Sequence, residues 1–206
     1  MKPAPAPVYV VDDEENFRRG LGRLLKANGY PVVPFASAED FLRDVPGVNR
    51  GCILLDVQMP GLNGLDLQEQ LARRACTLPI IFLTGRGDIP TSVRAMKRGA
   101  LDFLTKPVDE TVLIEAVRKA MVENEREEAD RARVEPIRKR VATLTEREED
   151  VMRHVIAGKM NKQIAADLGV VEKTVKVHRG RVMEKMRVAS VAELVRDCAL
   201  AGISPA

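Results

Sequence analysis

The chain has 206 residues, enough for two domains of ordinary size, and is 45% hydrophobic and 31% charged with a net charge of +3. No apolar stretch approaches the ~18 residues that span a bilayer, and Met1–Pro7 lacks an apolar signal core, so a cytoplasmic protein with no membrane association is expected. Two histidines and three widely spaced cysteines argue against a histidine-based catalyst, a zinc centre or a disulfide framework.

The first part of the chain alternates in type. Val8 to Val11 reads as a short apolar strand, and Glu15 to Asn28 as a helix with Phe17, Leu21, Leu24 and Leu25 at helical spacing, stopped by Gly29. Pro31 to Phe35 predicts a second strand, and Ser37 with Asp40 a capping box that opens the next helix. Strand three is Cys52 to Asp56, followed by a helix over Leu65 to Arg74. Strand four is Ile80 to Thr84, with a helix over Thr91 to Arg98 ended by Gly99. Strand five is Leu101 to Thr105, and a fifth helix starts near Asp109. Five strand–helix pairs in strict alternation predict an α/β doubly wound five-stranded parallel sheet with helices on both faces.

The fifth helix changes character along its length. Val112, Leu113, Ala116, Val117 and Ala120 give it a packing face, whereas Glu123 to Arg140 carries six acids and six bases. That stretch reads as a solvated helix or linker, broken at Pro136. Beyond it all is helical. Thr145 with Glu148 is a capping box for a helix to about Ala157. Asn161 is placed to cap a short helix, Lys162 to Leu168, which Gly169 ends; longer helices follow over Glu172 to Met186 and from Val191 to about Ala201. A short helix, a glycine turn and a longer basic helix outline a helix-turn-helix in an all-α four-helix domain. The expected division is 1–122, a charged helical linker 123–141, and 142–206.

Four strand ends carry chemistry. Asp12 and Asp13 follow strand one, Asp56 ends strand three, Thr84 ends strand four and Lys106 follows strand five. In a doubly wound sheet ordered 2-1-3-4-5 these ends converge on one edge. Taken alone, Asp12 and Asp13 suit a helix cap equally well, and a strand-end Asp suits a turn. Together, three crowded carboxylates need a cation, and all-oxygen ligation points to Mg²⁺. A carboxylate beside that ion can attack phosphorus, with Lys106 and Thr84 holding the remaining phosphoryl oxygens. An aspartyl-phosphate phosphatase would carry a second acid two residues after its nucleophile, where Gln58 stands here. A flavodoxin-type cofactor site would need a Gly- or Ser/Thr-rich phosphate loop after strand one, where Asp12 and Asp13 repel phosphate.

The stretches "VVDDEE", "LLDVQMPGLNG", "IIFLTGRGDIP" and "GALDFLTKP" resemble the flavodoxin-like receiver domain of bacterial two-component response regulators. The resemblance implies that Asp56 is the phosphoacceptor and that Asp12, Asp13 and the backbone carbonyl of Gln58 position Mg²⁺ with it. Thr84 and Lys106 would sense the phosphoryl group, and Phe103 would be the switch aromatic that turns inward with Thr84. It also implies a cis Lys106–Pro107 bond. Gln58 and Arg86, two residues beyond Asp56 and Thr84, would flank the water that hydrolyses the phosphoryl group.

Between residues 173 and 187 stand Lys173, Lys176, Arg179, Arg181, Lys185 and Arg187 against one acid, Glu184. Charge alone fits either a solvated helix face or a phosphate-rich partner. On a helical wheel Val171, Val175, Val182, Met183 and Met186 form an anchoring side. Lys173, Lys176, Val177, Gly180, Arg181 and Lys185 form a side free to enter a DNA major groove. Arg179 lies near the apolar edge, a position from which it reaches phosphate. Residues 144 to 201 resemble the LuxR/NarL-type helix-turn-helix, most specifically in "KTVKVH". Carried over, Lys176 and Val177 are base-edge contacts. Lys173, Thr174, His178, Arg179 and Arg181 are backbone contacts, and Asn161 and Lys162 lie near phosphates.

Two positions depart from the pattern. Val171 stands where relatives often carry a capping Ser or Thr. Gly180 lies on the DNA side, either permitting close backbone approach or merely tolerated. In the last helix Val191, Leu194, Val195, Cys198 and Ala199 form a stripe expected to pack mostly inside, its exposed part being a dimer seam.

As a whole the chain resembles the FixJ-like branch of response regulators. What that implies is a regulator of transcription, not an enzyme. A sensor histidine kinase would phosphorylate Asp56. The protein would then form a homodimer through the fourth helix and fifth strand and bind double-stranded DNA, with RNA polymerase as a further partner. The competing classes are a phosphorelay module whose helical domain binds protein, and a hydrolase.

Overall fold

The computed structural model describes residues 5–44, 47, 49–85 and 89–206. Its two compact units divide between Glu128 and Ala129. In the first, β1 (Val8–Val11), α1 (Glu15–Ala27), β2 (Val32–Phe35), α2 (Ala38–Asp44), β3 (Cys52–Asp56), α3 (Gly64–Arg73), β4 (Ile80–Thr84), α4 (Ile89–Lys97) and β5 (Asp102–Thr105) alternate as expected, and α5 (Glu110–Val141) begins there. All strand pairings are parallel and the order is β2-β1-β3-β4-β5. The chain therefore reverses its winding between β1 and β3, and the strand ends meet where ligands bind such sheets.

Alternation of side chains along the strands splits the core in two. Tyr9, Val11, Ile53, Leu55 and Phe82 join one cluster with Phe41 and Leu67. Val8, Val10, Leu54, Ile81 and Leu83 join the other with Leu25, Leu113 and Val117. Every residue of β1, β3 and β4 is buried, as strands covered on both faces must be. Pro34 lies in β2, an edge strand, where its missing N–H costs no internal ladder bond.

The second unit contains α6 (Glu146–Ile156), α7 (Asn161–Leu168), α8 (Glu172–Met186) and α9 (Val191–Leu200). The capping box of α6 is present: Thr145 Oγ1 accepts from the Glu148 N–H and Glu148 Oε2 from the Thr145 N–H. Val151, Met152, Val155, Ile164, Val175, Val182, Met186, Leu194 and Cys198 form its core. All three cysteines are free thiols, two of them buried. Among the described residues no helix is long and apolar enough to cross a membrane.

The charged stretch differs from expectation. The break expected at Pro136 does not occur; that proline lies inside α5. A proline mid-helix costs about 3 kcal/mol, but tertiary packing holds this turn. Ile137 is 4% exposed, and Val134 and Val141 pack with it on the core of the helical unit. Arg140 donates to the Met186 carbonyl and to Asp197 Oδ2, at 3.1 Å for the latter. The last turns of α5 are thus a fifth helical element of the second unit. Toward the other end of the stretch, Asn124 is buried in the first unit: its Oδ1 accepts from Gly51 N–H (2.8 Å) and its Nδ2 donates to the Asn49 carbonyl (3.0 Å).

Candidate functional site

The sheet brings the expected acidic residues together. Asp12, Asp13 and Asp56 each offer a carboxylate oxygen, and these atoms lie within 4.8 Å of one another. Asp12 is fully buried, Asp56 is 4% exposed, and Asp13 is exposed. Lys106 bridges the first two, its Nζ 2.7 Å from Asp12 Oδ2 and 2.7 Å from Asp56 Oδ2. The remaining oxygens accept from backbone: Asp12 Oδ1 from Glu14 N–H (2.9 Å) and Asp56 Oδ1 from Gln58 N–H (3.0 Å). Thr84 is fully buried at the tip of β4, and its carbonyl accepts from Lys106 N–H at 2.7 Å. Lys106–Pro107 is cis. Phe103 is half-buried, its ring 6.1 Å from that of Phe82. Arg86 lies outside the described residues.

Charge is unevenly balanced in this pocket. Burial pushes the Asp12 carboxyl upward; Lys106 and the Glu14 N–H pull it back without cancelling the rise, to which Asp56 adds. Burial works against the Lys106 ammonium, but hydrogen bonds and charge from Asp12 and Asp56 outweigh it and raise its pKa. Crowded carboxylate oxygens with no soft donor fit a hard divalent cation such as Mg²⁺.

Several residues that shape this pocket have no role in it assigned from the sequence, although Glu14 and Gly64 lie within the quoted motif stretches. Lys106 Nζ sits 4.1 Å from the centroid of the Phe17 ring, a cation–π contact that fixes its direction; Phe17 reads in the sequence only as a packing residue. Glu14 Oε1 approaches Lys106 Nζ to 3.7 Å. Arg18 donates to the Asp12 carbonyl. Gly64 opens α3 against the Asp56 backbone; a Cβ there would stand 2.2 Å from the Asp56 carbonyl oxygen.

In the helical unit, α8 buries Val175, Val182 and Met186 and exposes Lys173, Lys176, Val177 and Arg181. Lys162 is exposed on α7, and Thr174 and His178 are half-buried. Three expectations need correction. Val171 does not anchor the helix; it is 68% exposed, being the N-cap rather than a wheel position, and makes no side-chain cap bond. Asn161 does not cap α7. Met160 is the N-cap, while Asn161 Oδ1 accepts from Arg179 Nη1 at 3.0 Å and so ties α7 to α8. Lys185 is not on a free face, because its ammonium is bound to Glu148 Oε2 and the Thr143 carbonyl.

With both sites in place, comparison with known proteins is decisive. Residues 8–118 match the family described as "Response regulator receiver domain", and residues 142–197 match "Bacterial regulatory proteins, luxR family". The chain belongs to the two-component response regulators. The regulator is 48% identical over 97% of its length to Nodulation protein W of Bradyrhizobium diazoefficiens, covering 88% of that protein. It is 43% identical over 96% of its length to Transcriptional regulatory protein FixJ of Rhizobium meliloti, covering 97% of it. Among solved structures, response regulator StyR aligns with TM-score 0.76 and 43% identity over 94% of this chain and 98% of that one. Full-length FixJ from B. japonicum aligns at 0.60 and 39% over 97% and 98%.

The regulator is thus a transcriptional regulator, not an enzyme. Its receiver implies a histidine kinase partner, and its LuxR-type domain implies DNA. Receiver domains bind Mg²⁺ at an acidic cluster, and Asp12, Asp13 and Asp56 are grouped accordingly.

Proposed function

We propose that the regulator is switched by phosphorylation of Asp56 and then binds promoter DNA as a dimer through α8. The observation that carries this reading is the convergence of the Asp12, Asp13 and Asp56 carboxylates at the carboxyl ends of β1 and β3, with the Lys106 ammonium from beyond β5 bound to Asp12 and Asp56. An Asp56 oxygen attacks the phosphorus of a kinase phosphohistidine. The P–N bond breaks as the P–O bond forms, and the imidazole leaves with the electron pair. Asp12, Asp13, Asp56 and the Gln58 carbonyl would hold Mg²⁺, which when bound neutralises charge on the phosphoryl oxygens. Lys106, steered by Phe17, turns from Asp12 and Asp56 toward the new phosphoryl group, and the Thr84 hydroxyl donates to it. Phe103, in register beside Phe82 on β5, follows Thr84 inward.

Support for pairing comes from exposed apolar side chains. On α4, Ile89, Val93 and Met96 stand 78%, 45% and 45% exposed at i, i+4 and i+7, one face of a helix. On α9, Leu194 and Cys198 are buried while Val195 stays 40% exposed. Pairing two α8 helices on half-sites raises affinity through effective concentration. In α8, Lys176 and Val177 would reach base edges. Lys173, Thr174, His178 and Arg181 would reach the DNA backbone, with Asn161, Lys162 and Arg179 at the α7 end.

The test treats wild type and Asp56→Asn with acetyl phosphate and Mg²⁺, then measures mass, oligomeric state and duplex-DNA affinity against salt. Wild type should gain one phosphoryl group, dimerise and bind DNA more tightly, with affinity falling as salt rises; Asp56→Asn should do none of the first three. A phosphorylated wild type that stays monomeric with unaltered DNA affinity would overturn the switch.

A further inference from the structure

Gly180 stands in the middle of α8 without a reason inside the fold. Glycine is the poorest helix former after proline, because its backbone loses the most freedom on ordering. A fold explains such a residue when a close neighbour leaves no room for a Cβ, or when φ is positive. Neither holds here. A Cβ built on Gly180 meets nothing within 4 Å, φ lies outside the left-handed region, and the residue is exposed.

Its place on the helix supplies a reason outside the fold. At about 3.6 residues per turn, the line opposite the buried Val175, Val182 and Met186 runs through Lys173, passes between Val177 and Gly180 and reaches Glu184. Val177 is 48% exposed there, and the exposed Lys176 and Arg181 flank the line on either side. The part of α8 farthest from its own core therefore carries a short apolar side chain and bare backbone between two cations. The cations suit DNA phosphates, which position a helix and carry no sequence information. Base edges in the major groove offer an apolar side chain one matching group, the C5-methyl of thymine. A side chain at position 180, one turn from Val177, would hold α8 off those edges. Building on the reading of α8 as the DNA-binding helix, we propose that Gly180 is a specificity-determining residue. Its missing side chain lets the α8 backbone close on the base edges, so that Val177 seats against a thymine methyl.

The test uses the full-length regulator, treated with acetyl phosphate and Mg²⁺, to select duplexes from a random-sequence pool; one selected duplex is then the probe. Replacing each thymine of the probe in turn with deoxyuridine removes a methyl group and nothing else. At one position in each half-site this change should weaken wild-type binding about 4-fold, the worth of a buried methyl. The same change should not affect Val177→Ala or Gly180→Gln. Gly180→Ala should raise the melting temperature of the helical unit yet bind the probe about 4-fold more weakly; a glycine that is merely tolerated would give the rise without the loss. Gly180→Gln, at an open helix surface, should keep the fold and lose about 10-fold in affinity. Lys176→Ala is the control for α8. If it binds the probe as tightly as wild type, α8 is not the DNA-contacting helix, and the role of Gly180 falls with that reading. If Lys176→Ala weakens binding but no deoxyuridine does, or either Gly180 variant binds like wild type, the role of Gly180 alone is overturned.

Discussion

Glu148 in the helical unit and Asp12 in the receiver are both buried acids bound to a lysine, and their titration moves in opposite directions. Glu148 is 2% exposed; the Lys185 ammonium and the Thr145 N–H hold its carboxyl below the ordinary range, outweighing burial. Asp12 is fully buried and burial wins, so its carboxyl moves up despite Lys106. The reason is division of one cation. Lys185 serves one carboxylate, whereas Lys106 is shared between Asp12 and Asp56 with Asp13 beside them. The first arrangement is complete and structural. The second keeps surplus negative charge at a sheet edge, which is what a site for a metal ion and a phosphoryl group requires.

Removing the shared lysine should give the largest effect. Lys106→Met leaves two buried carboxylates without their ammonium, and breaking a buried pair in this way costs about 3–5 kcal/mol. The receiver's urea midpoint should fall sharply without divalent cation, while the helical unit's transition stays put. Millimolar Mg²⁺ should restore more stability to Lys106→Met than it adds to wild type. Equal midpoints for variant and wild type without Mg²⁺ would erase the contrast with Glu148.

Next in size is Gly64→Ala. A Cβ placed 2.2 Å from the Asp56 carbonyl forces backbone to shift at the site itself, and overpacking of this kind costs about 3 kcal/mol. Unfolding of the receiver should be shifted and phosphorylation by acetyl phosphate slowed, with DNA affinity of the helical unit unchanged.

That glycine shows where sequence reading stops. The strands, their order and the convergence of Asp12, Asp13, Asp56, Thr84 and Lys106 were legible, because apolar runs alternate with helical spacing and a doubly wound sheet has a known functional edge. The contacts of Gly64 and Phe17 were not, since each depends on a non-local approach that leaves no periodic mark. Charge density hid the rest. Within residues 123–140 the acids and bases outnumber everything else, yet Asn124 and Ile137 decide how the stretch packs. Lys185 misled for the converse reason: the wheel placed it with Lys173 and Lys176, but only the fold shows Glu148 waiting for it.

A smaller effect tests the complete pair. Lys185→Met should cost the helical unit about 1.5 kcal/mol, the lower end for a hydrogen bond to a charged group because Lys185 is one-third exposed. Glu148 has its pKa lowered by folding, so its contribution is present above its ordinary value near 4.5 and is lost as pH falls through the lower folded value. Thermal midpoints of the helical unit should therefore drop as the pH is taken below about 4.5, and the drop should be shallower in Glu148→Gln. An identical pH profile in both proteins would remove Glu148 from the account.

The smallest expected change has the opposite sign. α6 and α9 begin on Thr145 and Ser190, each accepting a backbone N–H at the third helical position, while α8 begins on an exposed Val171 that accepts none. Val171→Ser places a hydroxyl at a residue already in the extended conformation a cap requires, and such a cap is worth about 1 kcal/mol. Because Val171 is 68% exposed, little apolar burial is lost in exchange. The helical unit's melting temperature should rise and the receiver's should not. A fall would mean that the valine side chain contributes packing its exposure does not reveal, and α8 would then be anchored at its first turn after all.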